Sequence, residues 1–386
     1  MTSKFATIKG QIQRRRHDIQ RRNAYKKAST EPLRDAVLFE SFQGKVIGDS
    51  PYAIAHQLRQ VRPDLKLLWT VHTADTKVPD FLEPVVFGSK EWLHAMATSR
   101  YLVNNAVFPW YFTKREQQVY LQTWHGTPLK RIVNDVTSGA ASRGYRLTVT
   151  REAQMWDYLI SPSEYCNRTF SSAFSYSGKL LRGGYPRNDR LVKYTSDERD
   201  AIRQKLGIAT YDTKVVLYAP TWRPNLRNAD GSWSHVDLFD VEVPDGTVVL
   251  YRGHTNTSRI NGISPQKRID VTQYPDVNEL MIAADVLVTD YSSIMFDFSV
   301  TKKPFIVLAP DIDQYRQDPG FYFELADLAP APIVNTAEEV LIELADLSAI
   351  TEKYRDQYAT WREMFTAEED GRATERVIST VFMEGK

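Results

Sequence analysis

The stretch Val286-Leu287-Val288-Thr289-Asp290-Tyr291-Ser292-Ser293 changes character halfway along. Its first half is β-branched or leucine with no polar alternation, the pattern of a parallel strand covered on both faces. Its second half is polar and leads into Ile294-Met295-Phe296-Asp297-Phe298, so it reads as a turn entering a helix with Ser292 as N-cap. The same switch recurs. Lys214-Val215-Val216-Leu217-Tyr218 runs into Ala219-Pro220-Thr221-Trp222, and Val248-Val249-Leu250-Tyr251 runs into Arg252-Gly253-His254, while Phe305 to Leu308 supplies another strand. Nearer the start, Ala36 to Phe39, Leu65 to Trp69, Tyr101 to Val103, Val119 to Thr123 and Tyr158 to Ile160 read as strands of the same kind. Helices are expected between them at about Pro51 to Gln60, with Asp49 or Ser50 as N-cap, at Lys90 to Ser99, and from Ser163 onward. Such alternation predicts an α/β protein built on doubly wound parallel sheets. Two runs joined near residues 184–196 predict two Rossmann-like lobes facing a cleft, one over 34–190 and one over 191–386. The final segment, about 352–383, is expected to be helical and to pack back across the first lobe.

Composition bounds the rest. The chain has 386 residues, 42% hydrophobic and 25% charged, with a net charge of +1, so it carries no overall bias toward polyanions and nucleic acid is not an expected partner. One cysteine, Cys166, permits no internal disulfide and fits a reducing cytoplasm. Its place at the start of an expected helix favours a buried packing role over a nucleophilic one. No apolar run reaches the roughly 18–20 residues needed to span a bilayer, and no secretory h-region is present. Residues 1–33 stand apart as a basic leader with Lys4, Lys9, Arg14, Arg15, Arg16, Arg21, Arg22, Lys26 and Lys27. Phe5, Ile8, Ile12 and Ile19 fall near one helical face, which suits an amphipathic helix on an anionic membrane surface. A solvated leader helix fits the same pattern, because that apolar face is thin.

Ligands of open α/β sheets bind beyond the carboxyl ends of the strands, and the polar punctuation collects there. His125, in Gln122-Thr123-Trp124-His125-Gly126-Thr127, follows a strand. A neutral imidazole suits removal of a proton from an attacking hydroxyl. Trp124 can exclude water on one side, and Gly126 lets a substrate approach the backbone. Arg252 can clamp an anionic oxygen, and His254 can stabilise charge developing on a leaving phosphate. Ser292 and Ser293 open a helix whose free N–H groups suit phosphate. No Gly-Lys-Ser or Gly-Lys-Thr occurs, Gly183-Gly184 lacks a dinucleotide context, and the seven histidines show no metal-ligand spacing, so no protein-held metal is expected.

Together these segments resemble the CDP-glycerol glycerophosphotransferase family, the primases and polymerases of teichoic acid synthesis. The resemblance runs from about residue 34 to 380. It is carried by Gly44-Lys45 with Asp49-Ser50-Pro51, Leu121 to Lys130, Gly184-Tyr185-Pro186-Arg187-Asn188-Asp189, Tyr218 to Arg223, Arg252 with His254, Thr289 to Ser293 with Phe296-Asp297, and Asp370 to Arg376. It implies a GT-B fold and transfer of a polyol phosphate from CDP-glycerol or CDP-ribitol to a hydroxyl of a lipid-linked saccharide or teichoic acid acceptor, with release of CMP. It further implies no tightly bound cofactor and magnesium at most as a stimulant. The expected location is the cytoplasm, with a peripheral place on the inner face of the cell membrane if the basic leader binds lipid. In that scheme His125 and His254 are catalytic, Arg252, Ser292, Ser293, Thr221 and Arg223 lie on the donor side, and Asp297 and Arg376 are supporting or donor-site residues. Trp124, Gly126 and Thr127 lie on the acceptor side. One departure is Pro224, where the family often has an acidic residue after the Thr-Trp-Arg run. The length is similar to that of single-unit primases. A GT-B glycosyltransferase using a nucleotide sugar, or a non-catalytic CDP-polyol-binding protein, would keep the same lobes.

Overall fold

The computed structural model describes residues 16–137, 143–208, 212–221, 237–253 and 267–383. The strands, in chain order, are β1 (Arg34–Glu40), β2 (Lys66–Val71), β3 (Glu83–Val86), β4 (Ser99–Asn104), β5 (Val119–Gln122), β6 (Tyr158–Ser161), β7 (Lys179–Arg182), β8 (Lys214–Ala219), β9 (Thr247–Tyr251), β10 (Arg268–Asp270), β11 (Val286–Thr289), β12 (Phe305–Leu308) and β13 (Ile333–Val334). They form two sheets, ordered β3-β2-β1-β4-β5-β6-β7 and β10-β9-β8-β11-β12-β13. All pairs within them are parallel. Each sheet reverses its winding once, between β1 and β4 in the first and between β8 and β11 in the second. Those switch points are where the strand ends splay and a ligand fits.

The strands legible in the sequence are the inner ones. Val37, Leu38 and Phe39 of β1 and Val215, Val216 and Leu217 of β8 are fully buried, as double coverage demands. The sequence pattern missed β3, β7, β10 and β13, and each is the edge strand of its sheet. Edge strands lack a neighbour on one side and tolerate polar and proline residues, as in Glu83-Pro84-Val85-Val86. No alternating or continuous apolar signal survives there.

The first sheet is clothed on two faces. Leu38, Leu102, Tyr120 and Leu159 pack with Trp92, Met96 and Phe170 on one side, and Phe39, Trp69 and Leu121 pack with Ile54 and Leu58 on the other. That second face also holds Val377, Ile378, Val381 and Phe382, so the tail of the chain completes the core of the first lobe. The Phe382 ring lies 4.9 Å from Tyr101, and its carbonyl accepts a 2.6 Å hydrogen bond from Arg62 Nη1. A buried phenylalanine of this kind contributes about 1.5–3 kcal/mol. The tail is not one continuous helix. Helix Arg355–Phe365 ends, Gly371 takes a φ of 82° that a side chain would strain, and the chain resumes as Ala373–Ile378 and a π-turn through Met383.

The leader is described from residue 16, and residues 16–28 are helical. Tyr25 anchors them. It is buried, its hydroxyl donates to the Thr113 carbonyl at 2.6 Å, and its ring meets Tyr111 and Phe112. Phe5, Ile8 and Ile12 lie outside the described residues, and Ile19 is half exposed.

Candidate active site

Three turns of the first lobe leave neighbouring strand ends and lock together. After β1, Phe42 and Gln43 adopt positive φ, and the Phe42 N–H donates to Asn105 Oδ1 at 2.8 Å. Asn105, just past β4, donates in turn to Ser41 Oγ at 3.1 Å. After β5, the Gln122 amide donates to the Ala106 carbonyl and accepts from the Trp124 N–H. Trp124 sits at a φ of 51°, a left-handed conformation that costs a non-glycine residue roughly 1–2 kcal/mol. Held strain at a strand-end turn is a feature of functional sites.

That turn aims His125. Its ring stacks on the Trp124 indole at 4.2 Å and tilts against Phe42 at 5.5 Å. Nδ1 lies 2.6 Å from the Asn105 carbonyl. A carbonyl only accepts, so Nδ1 carries the proton and Nε2 keeps its lone pair. Burial pushes the imidazole below its ordinary pKa and Arg187 pushes the same way, against the Asn105 carbonyl and Asp49. At neutral pH the ring is therefore an unprotonated base.

The other half of the site comes from the second lobe. A Cβ added to Gly126 would stand 2.8 Å from Ser293 Oγ and 3.1 Å from Ser293 Cβ, so the two lobes touch where the His125 turn meets the turn after β11. Asp290 organises this turn by accepting the N–H groups of Thr221 and Tyr291 at 2.8 and 2.7 Å, which ties the ends of β8 and β11 together. The N-cap is Ser293, not Ser292, and its side chain makes no capping bond. Ser292 Oγ instead accepts from the Ile294 N–H at 3.4 Å. Ser292 Oγ thus supports the start of the helix, while the Ser293 hydroxyl takes no part in capping it.

Arg252, past β9, lies mostly buried, with Nη1 donating to the carbonyls of Val271 and Tyr274 at 3.1 and 2.8 Å. Burial pushes its pKa down while Asp276 pulls it up, and among the described residues it makes no ion pair. A guanidinium remains charged at any accessible pH, so a desolvated cation without a counter-ion suits an anionic ligand. His254, Arg223 and Pro224 lie outside the described residues.

Three of the expected site residues are bonded within the protein. Thr127 was assigned to the acceptor side, but it is buried and lies 3.7 Å from the Cys166 thiol, which donates to its hydroxyl. Asp297, for which a supporting or a donor-site role was open, takes bonds on both oxygens from Arg187 Nη2 at 3.0 Å, and on Oδ1 another from Asn188. Arg376, with the same two roles open, pairs with Asp370 and donates to the Gly183 carbonyl. Basic and acidic residues in a shared motif read alike whether they face ligand or each other. Residues without an assigned role proved central. Arg187 also pairs with Asp49 at 3.1 Å, so one buried guanidinium joins the first lobe to the helix that Ser293 begins. Asn105, which sets the His125 tautomer, carried no sequence signal. Among the described residues no cluster of three His, Cys, Asp or Glu could hold a metal.

Comparison with known proteins fits this geometry. Residues 24–383 match the family model described as CDP-glycerol:poly(glycerophosphate) glycerophosphotransferase. The chain belongs to this family. The structure of the wall teichoic acid polymerase TagF superimposes with a TM-score of 0.87 at 33% identity, covering 99% of this chain and 96% of that one. The two lobes are therefore a GT-B-like pair. The teichoic acid glycerol-phosphate transferase of Staphylococcus aureus is 34% identical over 93% of this chain and 95% of its own length. The teichoic acid poly(glycerol phosphate) polymerase of Bacillus subtilis is 36% identical over 92% of this chain, which spans about half (50%) of that longer relative. In this chain the strained Trp124 turn and the Gly126–Ser293 contact lie at the junction of the lobes.

Proposed function

We propose that this chain transfers glycerol phosphate from CDP-glycerol to a hydroxyl of a lipid-linked or polymeric acceptor in teichoic acid synthesis, releasing CMP. One observation carries the reading: an imidazole with Nδ1–H fixed on the Asn105 carbonyl leaves Nε2 free beside the inter-lobe contact of Gly126 and Ser293. His125 Nε2 takes the acceptor hydroxyl proton, and the oxygen attacks the β-phosphate. The bond from that phosphorus to the oxygen bridging to the α-phosphate breaks, and CMP leaves with its electron pair. A positioned base of this kind contributes about 10²–10⁴ in rate. Arg252 and His254 neutralise the pyrophosphate, and Ser292 and Ser293 donate to phosphate oxygens. Thr221 and Arg223 line the cleft. Asp297 and Arg376 act in support, through Arg187 and the tail. The CDP-polyol is substrate rather than resident cofactor, and magnesium acts as a stimulant at most.

The acceptor side faces a membrane surface in this reading. Ile19, Trp110, Tyr145 and Leu147 expose apolar side chains on the first lobe, and Arg143 and Arg146 accompany the last two on one helix. Arg151 ties that helix to the Trp110 carbonyl at 2.7 Å. Apolar residues among cations suit the surface of an anionic bilayer, which supports a peripheral position on the inner face of the cell membrane. Among the described residues no helix is long and apolar enough to cross it.

His125→Ala is expected to abolish CMP release from CDP-glycerol while the melting temperature moves little. In the wild type, the acid limb of kcat/KM lies below the ordinary histidine value, since burial lowers the His125 pKa. Near wild-type turnover by the variant would sink the mechanism. Turnover of a nucleotide sugar with no turnover of CDP-glycerol would favour a glycosyltransferase.

A further inference from the structure

At the amino edge of the second sheet, opposite the turns that carry Thr221 and Ser293, lies a cavity of about 230 Å³. Pro304 and Pro330 stand just before β12 and β13, and with Ile350 and Tyr358 they give it an apolar wall. Its rim is cationic, formed by Lys302, Arg355 and Arg362. None of these residues takes part in the site described above.

The charges on the rim do not balance internally. Arg355 is paired with Glu352. Arg362 is not: its Nε is buried without a hydrogen-bond partner, and among the described residues neither Arg362 nor Lys302 forms an ion pair. Burying an unsatisfied guanidinium donor is unfavourable unless something fills the place. Lys302 adds a second, independent sign. Its φ is 63°, in the tight turn after helix Ile294–Ser299, where its N–H donates to the Ser299 carbonyl at 3.2 Å. Glycine would adopt that turn without strain, yet a long cation stands there, on the lip of the cavity.

We propose that this cavity binds a small organophosphate, with the phosphate oxygens held by Arg362 and Lys302 and the carbon body lying on Pro304, Ile350 and the Tyr358 ring. A guanidinium fork and a separate ammonium together match the several oxygens of a phosphate ester. The apolar wall selects an ester over the bare ion. A soluble polyol phosphate and a phospholipid headgroup share this chemistry.

The test is calorimetric titration of the full chain with sn-glycerol 3-phosphate and with inorganic phosphate, beside flotation with phosphatidylglycerol vesicles. Wild type and Arg100→Gln are expected to bind glycerol 3-phosphate alike, because Arg100 lies on the first sheet, paired with Asp35 and away from both sites. Arg362→Gln should weaken binding at least about tenfold, the worth of a charge-assisted bond. Lys302→Gly should weaken it by less, and Arg362→Lys should retain most of it, with thermal melts confirming that each variant is folded. Inorganic phosphate should bind more weakly than the ester. If vesicles retain the wild type and lose Arg362→Gln, the ligand is the lipid headgroup. If only the soluble ester responds to Arg362→Gln, the ligand is the free polyol phosphate. Wild-type binding by Arg362→Gln, loss of binding in Arg100→Gln, equal binding of ester and bare ion, or no binding of ester or vesicle overturns the proposal.

Discussion

Replacing Gly126 by alanine tests whether the two lobes must meet at this contact for turnover. The added Cβ would lie 2.8 Å from Ser293 Oγ and 3.1 Å from Ser293 Cβ, where ordinary contact begins at 3.4 Å. The hydroxyl can rotate away, but the Ser293 Cβ is fixed to the start of its helix. The lobes therefore have to part by a few tenths of an ångström. Overpacking of this size costs about 1–3 kcal/mol, and here the cost falls on closure of the cleft rather than on either hydrophobic core. At 1.4 kcal/mol per factor of ten, single-turnover CMP release should fall roughly 5- to 150-fold. The melting temperature should drop far less than for a cavity mutation. Ser293→Gly removes both clashing atoms, so Gly126→Ala should be nearly neutral in the Ser293→Gly background, giving a coupling of about 1 kcal/mol or more in the double-mutant cycle. Wild-type turnover by Gly126→Ala would refute the reasoning. So would a full loss that persists in the double variant relative to Ser293→Gly alone.

Other perturbations read other parts of the fold. Arg187→Met leaves the buried carboxylates of Asp49 and Asp297 facing each other without their cation, and should lower unfolding free energy by about 3–5 kcal/mol in urea titration. Glu152 and Glu369 are pushed by burial to a pKa of about 8, so the folded state holds protons that the unfolded chain releases near pH 4.5. Their contribution is complete below pH 4.5 and is lost as pH rises toward 8. The urea midpoint should therefore fall between pH 6 and pH 9, and Glu152→Gln with Glu369→Gln should flatten that slope. Cys166 is fully buried with its thiol pushed up to about 12, so maleimide should leave native protein unlabelled and turnover intact, while denatured chain labels fully.

The difference between what the sequence disclosed and what it withheld follows burial. β1, β8 and β11 were legible because a strand covered on both faces can use only apolar residues. β7, Lys179-Leu180-Leu181-Arg182, was not, because an edge strand reads like a loop. His125, Arg252 and Ser293 were legible because each follows a recognisable strand. Asn105 acts through its backbone carbonyl, and any residue supplies a carbonyl. Asp297 shows the converse: its chemistry was visible, but its partner, Arg187, stands 110 residues away in the chain. Periodicity speaks for neighbours and is silent about such distances.

The return of the tail to the first lobe has a mechanical consequence. The polypeptide crosses between the lobes near Arg187 and again near Glu369, and the crossings are bonded to each other. Glu369 accepts from the Tyr185 N–H and from Asn188, and Asp189 accepts from the N–H groups of Ala373 and Thr374. The lobes are joined a second time where Lys130 pairs with Phe321, the Arg131 N–H donates to the Gly320 carbonyl and the Tyr322 N–H donates to the Leu129 carbonyl, both at 2.9 Å. A seam stitched at two places resists twist as well as separation, so the lobes are held in register where Gly126 meets Ser293. A change at either stitch is carried to that contact.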